Sequence, residues 1–547
     1  MYSWRYFQRY NGLRLRFLDA ARLHRAALCH AMRLRDPALR RQLFVTDDLL
    51  SGLGPRSARG GAYTAASTGF NFVVTTISTI LVTRELTDED FGLYGMVLVF
   101  TGFASMFVDL GLARAVVQKP EVTHPQVSTL FWINVGIATL LALLVVAATP
   151  LVVWFYNEPR LTWINVAMSG LFVVHALGQQ HGALLQRRME FGRTSLIAAC
   201  ASPAGAIAAV IVAFADGGHW ALVSLPAVSA LFHSAGLWIA CPWAPSLPRR
   251  GTGVRSMLAF GGNVTASKLI RYFSRNADNA MLGFAWGAGP LGLYTRAYSL
   301  MMLPASKMNA PLTNVLVPAL SRLKGEPERY ARVYLRAVSF VAVPLTGFVS
   351  WLLLVSPELI PRLLGQQWGA MTPVFLALGP AALLTCTNAI NGWLYLSYGH
   401  VERELRWSFV HSPTLLAAMA IGVQWGALGM AVAVSTAFCA LKPFSAAYAA
   451  RSTPVPIGRL LLAIYTPIAV FGFIGLAGWV VAAATTPAGR DGGRLLLGKT
   501  AVFAAVTAAT FALTPWGRDR VREGFALLKQ LRQGPTKMRE SVVEEEV

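Results

Sequence analysis

The chain has 547 residues, of which 55% are hydrophobic and 14% charged, and its mean hydropathy is +0.49. Soluble domains carry about 25% charged residues, so an ordinary soluble protein is excluded, and the abundant apolar residues exclude disorder. There are 48 Lys and Arg against 26 Asp and Glu, a net charge of +22. In so apolar a chain this excess favours basic cytoplasmic loops over a nucleic-acid surface. The five cysteines show no CxxC spacing, so neither a disulfide framework nor a zinc site is predicted.

The N-terminal segment 1–60 contains 12 arginines and no uninterrupted apolar core. It therefore lacks the pattern of a secretory signal. Two interpretations stay open, a solvated cytoplasmic extension and a helix lying on an anionic membrane leaflet.

Fourteen apolar blocks follow, and each is long enough to cross a hydrocarbon core, which requires about 20 residues in a helix. Lys and Arg are concentrated in alternate loops and in both terminal segments, which predicts cytoplasmic N- and C-termini. The blocks lie near 62–83, 91–113, 128–153, 161–182, 194–215, 220–241, 257–283, 293–319, 333–355, 371–396, 407–424, 427–448, 460–483 and 497–515.

An internal repeat indicates two lobes. Phe91-Gly-Leu-Tyr94 recurs as Leu291-Gly-Leu-Tyr294, and Trp220-Ala-Leu-Val223 has a counterpart in Ala427-Leu-Gly-Met430. We therefore predict an all-α polytopic membrane protein with about 14 transmembrane helices, two six-helix lobes around a central cationic cavity and two C-terminal helices. The predicted parts are a basic cytoplasmic extension (1–60), an N-lobe (61–241), an interlobe linker (242–256), a C-lobe (257–450), helices 13 and 14 (451–515) and a cytoplasmic tail (516–547).

The predicted seventh span carries charged side chains within the hydrocarbon core, where a charge raises the free energy of the protein. Lys268, Arg271, Arg275 and Asp278 fall within about 80° of one another on a helix. Each would cost about 2.5–3.5 kcal/mol if it faced lipid at mid-membrane, so these side chains must face protein or water. One interpretation is a structural network in which Arg275 pairs with Asp278. We favour a site for an anion, because guanidinium groups match phosphate oxygens.

The eighth span adds Arg296 and Lys307, which brings the predicted intramembrane charges to five cations against one acid. Backbone breaks in a membrane are tolerated where they line a cavity. We expect such breaks at the three prolines of this span, Pro304, Pro311 and Pro318.

A further pair of charges, Asp109 and Arg114, lies toward the cytoplasmic end of the second span. An interfacial ion pair is the favoured interpretation, and a role in gating or coupling is the alternative. His175 and His181 are six residues apart, which is poor spacing for metal ligands, so no metal site is predicted. The sequence shows no nucleophile elbow, paired carboxylates or P-loop, so no catalytic residues are assigned.

Several segments, in order, resemble one family. The chain is similar to the polysaccharide and O-antigen flippases of the MOP (MATE-like) superfamily, in the colanic-acid and exopolysaccharide exporter (WzxC-like) branch. The segments that carry the resemblance include Leu86-Thr-Asp-Glu-Asp-Phe-Gly-Leu-Tyr94, Phe107-Val-Asp-Leu-Gly-Leu112, Phe155-Tyr-Asn-Glu-Pro-Arg160, Arg275-Asn-Ala-Asp-Asn-Ala-Met-Leu-Gly283 and Leu364-Gly-Gln-Gln-Trp368.

The resemblance implies a non-enzymatic flippase in the bacterial inner membrane. Its substrate would be an undecaprenyl-pyrophosphate-linked oligosaccharide repeat unit, moved by alternating access for exopolysaccharide or lipopolysaccharide synthesis. Lys268, Arg271 and Arg275 would bind pyrophosphate or acidic sugar with help from Arg296, and Asp278 would orient Arg275 or couple an ion. We expect no cofactor, a proton or sodium gradient as the coupling source, and membrane lipids and polysaccharide polymerase machinery as partners.

Three other functions stay open. A flippase for the lipid-linked peptidoglycan precursor would have the same span count and cationic cavity. A MATE-type multidrug antiporter would need a buried acid to attract a cationic substrate, which a net positive cavity disfavours. A membrane polysaccharide polymerase would need a large outer loop with catalytic residues, and the longest outer loop predicted has about a dozen residues.

Overall fold

The computed structural model describes residues 53–108, 111–119, 121–249, 251, 253–254, 257, 272, 276–385, 387–485 and 492–522. Within these ranges every regular element is helical. The α-helices are α1 Leu53–Glu85, α2 Asp88–Val108, α3 Leu112–Gln118, α4 His124–Ala147, α5 Thr149–Tyr156, α6 Leu161–Arg187, α7 Phe191–Phe214, α8 Trp220–Ala240, α9 276–286, α10 Ala288–Arg322, α11 Pro327–Leu364, α12 Met371–Thr385, α13 Asn388–Tyr398, α14 Val401–Gly422, α15 Gly426–Ala450, α16 Ile457–Thr485 and α17 Gly492–Leu513. Short 3-10 helices span Gln366–Ala370 and Val423–Trp425.

Eleven helical stretches in the described residues are long and apolar enough to cross a membrane. The stretch Glu402–Ala450 is 49 residues long and contains two of the predicted spans. The predicted seventh span falls mostly outside the described residues, and the eighth forms α10, which is too polar to be counted by hydropathy. The chain is therefore a multi-pass membrane protein, and the count of 14 spans stays a prediction.

The described residues form two compact units, which divide between Arg275 and Asn276. The predicted lobe and linker boundaries stay predictions. In the first unit, α7 packs between α1 and α8, and α6 packs against α2, α4 and α8. One apolar cluster of this unit is built on fully buried Leu130, Leu184 and Trp243. A ring nitrogen of His181, Nε2, lies 3.1 Å from the Trp243 carbonyl oxygen, so this histidine belongs to the core.

The second unit is organised around the long helix α11. This helix packs against α12, α16 and α17, while α15 packs against α12 and α14. Leu354 and Val355 of α11 form an apolar cluster with Phe471 and Ile474 of α16 and Phe503 of α17. The two C-terminal helices are thereby joined to the rest of this unit by apolar packing.

The motif at residues 86–94 forms the start of α2. The Thr87 amide donates a hydrogen bond to Asp90 Oδ2 at 3.1 Å, and the Thr87 hydroxyl donates to the same oxygen at 2.8 Å. Three acidic residues fill the first turn, where the helix dipole favours negative charge. The repeated tetrapeptides that begin at Phe91 and Leu291 each start three residues after their helix begins.

The motif at residues 155–160 forms the turn between α5 and α6. Asn157 adopts the left-handed conformation with φ 52°, which asparagine tolerates better than most residues. Arg160 donates to both carboxylate oxygens of Glu158 at 2.8 Å and to Glu89 at 3.2 Å. The hydrogen bonds from Arg160 hold the pKa of the Glu158 carboxyl below its usual range. This ion pair fixes the turn outside the membrane-spanning helices.

One expectation about α10 is wrong. The prolines at 304, 311 and 318 do not interrupt the eighth span, because Ala288–Arg322 is one continuous helix of 35 residues. A proline removes a single backbone donor and crowds the carbonyl four residues back, which kinks a helix without having to end it. In a membrane, neighbouring helices support such a helix.

Candidate functional site

The acid predicted in the seventh span is buried beside a tyrosine. Asp278 lies in α9 and is 5% exposed, while Tyr294 in the second turn of α10 is fully buried. The Tyr294 hydroxyl donates a hydrogen bond to Asp278 Oδ2 at 2.9 Å, and the Asn279 amide donates to Oδ1 at 2.8 Å. These two donors fix the orientation of the carboxyl group.

The cation predicted in the eighth span is also buried. Arg296 of α10 is 6% exposed. It is two residues beyond Tyr294, so the two side chains leave the helix about 200° apart. Arg296 is therefore directed to a different side of α10 from the pair formed by Tyr294 and Asp278. A buried guanidinium on a membrane helix is costly, which makes this position a functional candidate.

The remaining predicted site residues divide into two groups. Arg114 is exposed on α3, and Lys307 belongs to α10, where only the backbone is described. The other four lie outside the described residues: Lys268, Arg271, Arg275 and Asp109. The cationic face, the central cavity and the Asp109–Arg114 pair therefore stay predictions.

Tyr272 is the described residue within the predicted cationic stretch of the seventh span. Its hydroxyl lies 2.9 Å from the carbonyl oxygen of Leu98 and 2.8 Å from that of Val99, so α2 supplies two acceptors to this one donor. A Cβ atom added to Gly102 would lie 2.5 Å from the Tyr272 hydroxyl oxygen. Glycine at 102 therefore allows the tyrosine to reach the backbone of α2. Sequence reasoning did not select Tyr272, although a polar-tipped aromatic residue among arginines was the available signal.

Sequence reasoning missed three further charged residues, two buried lysines and one half-buried glutamate. Lys442 of α15 is 4% exposed, and its ammonium donates to the Thr387 carbonyl oxygen at 3.0 Å. Lys499 of α17 donates to Glu358 of α11 at 2.8 Å, and it also reaches the Leu354 carbonyl oxygen at 3.3 Å. The expectation of five intramembrane cations against one acid is thus incomplete. Each missed charge lies within about two turns of a helix end, where the sequence pattern assigns charges to the interface.

The first unit contains an apolar cavity of about 380 Å³ between α2, α4, α5 and α6. Three phenylalanines of α2 form one wall, and Asn165 of α6 is the polar residue in the lining. The Asn165 amide donates to the Thr149 hydroxyl at 2.8 Å and to the Val145 carbonyl oxygen at 3.3 Å. These bonds engage the amide nitrogen, whereas Asn165 Oδ1 is buried and accepts no hydrogen bond among the described residues. The rest of the lining is apolar. The phenylalanines are Phe100, Phe103 and Phe107.

Comparisons with known proteins place this architecture in a family. The sequence matches the family described as polysaccharide biosynthesis protein over residues 80–373, which is more than half of the chain. It is 27% identical over 385 residues to the lipopolysaccharide biosynthesis protein WzxC of Escherichia coli (strain K12), covering 69% of this chain and 77% of that protein. It is 25% identical over 363 residues to the succinoglycan biosynthesis transport protein ExoT of Rhizobium meliloti (strain 1021), covering 66% and 72%.

The fold is that of a known class of transporters. The inward closed conformation of the lipid II flippase MurJ aligns with a TM-score of 0.63 at 14% identity, covering 82% of this chain and 98% of that chain. An inward-facing multidrug resistance MATE family transporter of the MOP superfamily aligns with a TM-score of 0.52 at 15% identity, covering 76% and 96%. At these identities the likeness shows the fold alone.

The helical membrane fold defines the class first: this is a polytopic membrane protein with the fold shared by the MurJ flippase and a MATE family transporter. Within that class, the chain belongs to the polysaccharide biosynthesis protein family. These comparisons confirm the sequence-based expectations of a helical membrane fold and of the family, while the count of 14 spans stays a prediction.

Proposed function

We propose that the protein is a flippase that moves lipid-linked oligosaccharide repeat units across the bacterial inner membrane for exopolysaccharide or lipopolysaccharide synthesis. The observation that carries this proposal is the family match over residues 80–373, which lies on a transporter fold. The lipid carrier is undecaprenyl pyrophosphate, and the lobes exchange access between the two sides of the membrane.

The anionic end of such a substrate requires buried cations. Arg296 is a described example, and it supports the proposal because a guanidinium pairs with two phosphate oxygens at once. Lys268, Arg271 and Arg275 would complete the site in a face that the sequence places on one side of a helix. A positively charged cavity repels the cationic substrates of a multidrug antiporter.

The lipid end of the substrate requires apolar surface. The cavity of about 380 Å³ in the first unit supports this part of the proposal, since its lining is apolar except for Asn165, whose amide nitrogen is hydrogen-bonded within the protein. Burying an isoprenoid chain there would contribute about 25 cal/mol for each Å² removed from water.

Coupling to a proton or sodium gradient would use Asp278. Its carboxyl is buried and held by the Tyr294 hydroxyl, so loss or gain of a proton would change that contact. We further propose cytoplasmic N- and C-termini, on the basis of the distribution of Lys and Arg. Polysaccharide polymerase machinery is the expected partner on the product side.

The test is a deletion strain in which surface polymer and lipid-linked repeat units are measured together. The strain is complemented with the wild type, Arg275→Ala, Arg296→Gln and the control Arg329→Gln. Arg329 is a half-buried residue that pairs with Glu326 outside the candidate site. We expect loss of polymer and accumulation of intact repeat units on the inner leaflet, with rescue by the wild type and the control only. Full rescue by both site variants at normal protein levels would exclude the cationic site. Repeat units already on the outer leaflet of the deletion strain would exclude the flippase itself.

A further inference from the structure

A second, cationic cavity lies in the second unit, away from Asp278 and Arg296. It has a volume of about 280 Å³, many times the roughly 10–15 Å³ that one water molecule needs. The beginnings of α11 and α16 and the helical segment 515–522 enclose it. Its lining consists of Leu335, Arg336, Ser339, Val343, Arg459, Leu462, Ala463, Thr466, Pro467, Trp516 and Arg520.

The lining changes from charged to apolar along both membrane helices. On α11, Arg336 is followed one turn deeper by Ser339 and two turns deeper by Val343. On α16, Arg459 is the third residue of the helix and Leu462 lies one turn deeper. Residues three, four and seven apart share a helix face, so each helix presents a cationic head above an apolar wall.

The charged end of this cavity is uniformly positive. Arg336, Arg459 and Arg520 contribute three guanidinium groups, and none of the lining residues of this cavity is acidic. Arg336 and Arg459 are exposed and take part in no ion pair among the described residues. Trp516 is a half-buried residue of the lining, and tryptophan is enriched at the boundary between membrane and water.

We propose that this cavity binds the phosphate of an anionic membrane phospholipid, with the guanidinium groups on the headgroup and an acyl chain along α16. Arginine provides paired donors for phosphate oxygens, and basic pockets between membrane helices suit such headgroups. The apolar part of the lining favours a lipid over free phosphate. Leu462 is 66% exposed, so the apolar lining continues onto the outer surface of α16, where an acyl chain can lie. In the predicted topology the site faces the cytoplasmic leaflet. The ligand is a resident lipid, so this proposal does not depend on the transported substrate.

The test is native mass spectrometry of the purified full chain, titrated with phosphatidylglycerol and, separately, with phosphatidylcholine. The variant is Arg336→Gln with Arg459→Gln. The matched control is Arg329→Gln with Arg332→Gln, a half-buried and an exposed arginine of α11 that do not line the cavity. A basic residue near an anionic lipid surface contributes about 1 kcal/mol, which is about fivefold in affinity. We therefore expect the cavity variant to bind phosphatidylglycerol about 25-fold more weakly, and the control less than about threefold.

Each outcome decides the proposal. An equal loss in the control pair would reduce the effect to net charge and overturn it, as would undiminished binding in the cavity variant. Binding of phosphatidylcholine as tight as phosphatidylglycerol would also overturn it. Inorganic phosphate is added as a competitor. If it displaced phosphatidylglycerol with the same affinity as the lipid itself, the site would be assigned to free phosphate instead. If the double variant fails to fold, Arg459→Gln alone is expected to lose about fivefold.

Discussion

Replacing Lys499 by methionine should remove the ion-pair partner of Glu358 inside the second unit. The Lys499 ammonium lies 2.8 Å and 3.1 Å from the two carboxylate oxygens of Glu358, and both side chains are nearly buried. At a separation of 2.8 Å and an effective dielectric constant of about 20, the Coulomb attraction is about 6 kcal/mol. Desolvation offsets part of it, and removing one partner of a buried pair costs about 3–5 kcal/mol.

The contact joins α17 to α11, so its loss should release the C-terminal helix from the apolar cluster around Phe503. We expect Lys499→Met to lower the free energy of unfolding by about 3–5 kcal/mol, because the carboxylate of Glu358 is left buried without its ion pair. The double variant Glu358→Leu with Lys499→Leu should recover most of this loss, because a similar volume of apolar side chain replaces both charges.

The assay is thermal and denaturant unfolding of the detergent-solubilised protein, followed by fluorescence and gel filtration. A double-mutant cycle with Glu358→Leu, Lys499→Leu and the pair gives the coupling energy directly. A control is Arg406→Gln, which disrupts an exposed pair at 3.9 Å with Glu402 and should cost less than about 1 kcal/mol. Stability of Lys499→Met equal to that of the wild type, or a double variant no better than the single one, would refute the reasoning.

Three further changes test the local structure. Gly102→Ala places a methyl group 2.5 Å from the Tyr272 hydroxyl, so complementation of polymer export should fall at least tenfold, whereas Gly61→Ala, with open space around it, should complement fully. Tyr294→Phe removes a hydrogen-bond donor from Asp278 and should cost about 1–3 kcal/mol of stability; a melting temperature unchanged from wild type would contradict the buried contact. Glu158→Gln tests the turn before α6, where the carboxyl pKa is lowered in the folded state. Its stabilisation is fully present at neutral pH and is lost as the pH falls through that lowered pKa. The difference in melting temperature between wild type and Glu158→Gln should therefore shrink as the pH falls below the ordinary glutamate pKa and disappear below the lowered pKa of the folded state. A difference that grew with acidity would contradict this.

Most of the helical architecture could be predicted from the sequence because a bilayer demands about 20 apolar residues per span. The predicted blocks near 161–182 and 194–215 correspond to α6 and α7. Each end of a block lies within a few residues of the corresponding helix end. The block near 128–153 is divided into α4 and α5 at Ala148, a boundary that hydropathy does not mark.

The charges inside the helices were harder to predict than the helices themselves. Asp278 stood out because it shares one face of the predicted seventh span with three cations, and Arg296 because it adds a further charge in the next span. Lys442 and Lys499 did not stand out, because each is the single charged residue of its predicted span. Their partners come from elements 55 and 141 residues away along the chain, and no local pattern reports such contacts.

The breaks expected at the prolines of the eighth span were wrong for a similar reason. A proline removes a local hydrogen bond, but whether the helix continues depends on the helices that pack against it. In α10 these include α12 and α13, which contact it along its length. Sequence alone does not identify such neighbours.

The most direct measurement of the central claim is lipid translocation by the purified protein in proteoliposomes. A fluorescent undecaprenyl-pyrophosphate-linked oligosaccharide is placed in both leaflets, and the fraction accessible to an external glycosidase is followed with time. The account predicts that the wild type exposes the inner pool while Arg296→Gln and Arg275→Ala do not, although both remain folded. Equal exposure in empty liposomes and in those with the wild type would contradict the flippase assignment. Rapid exposure of the lipid-linked peptidoglycan precursor instead would move the protein to that substrate.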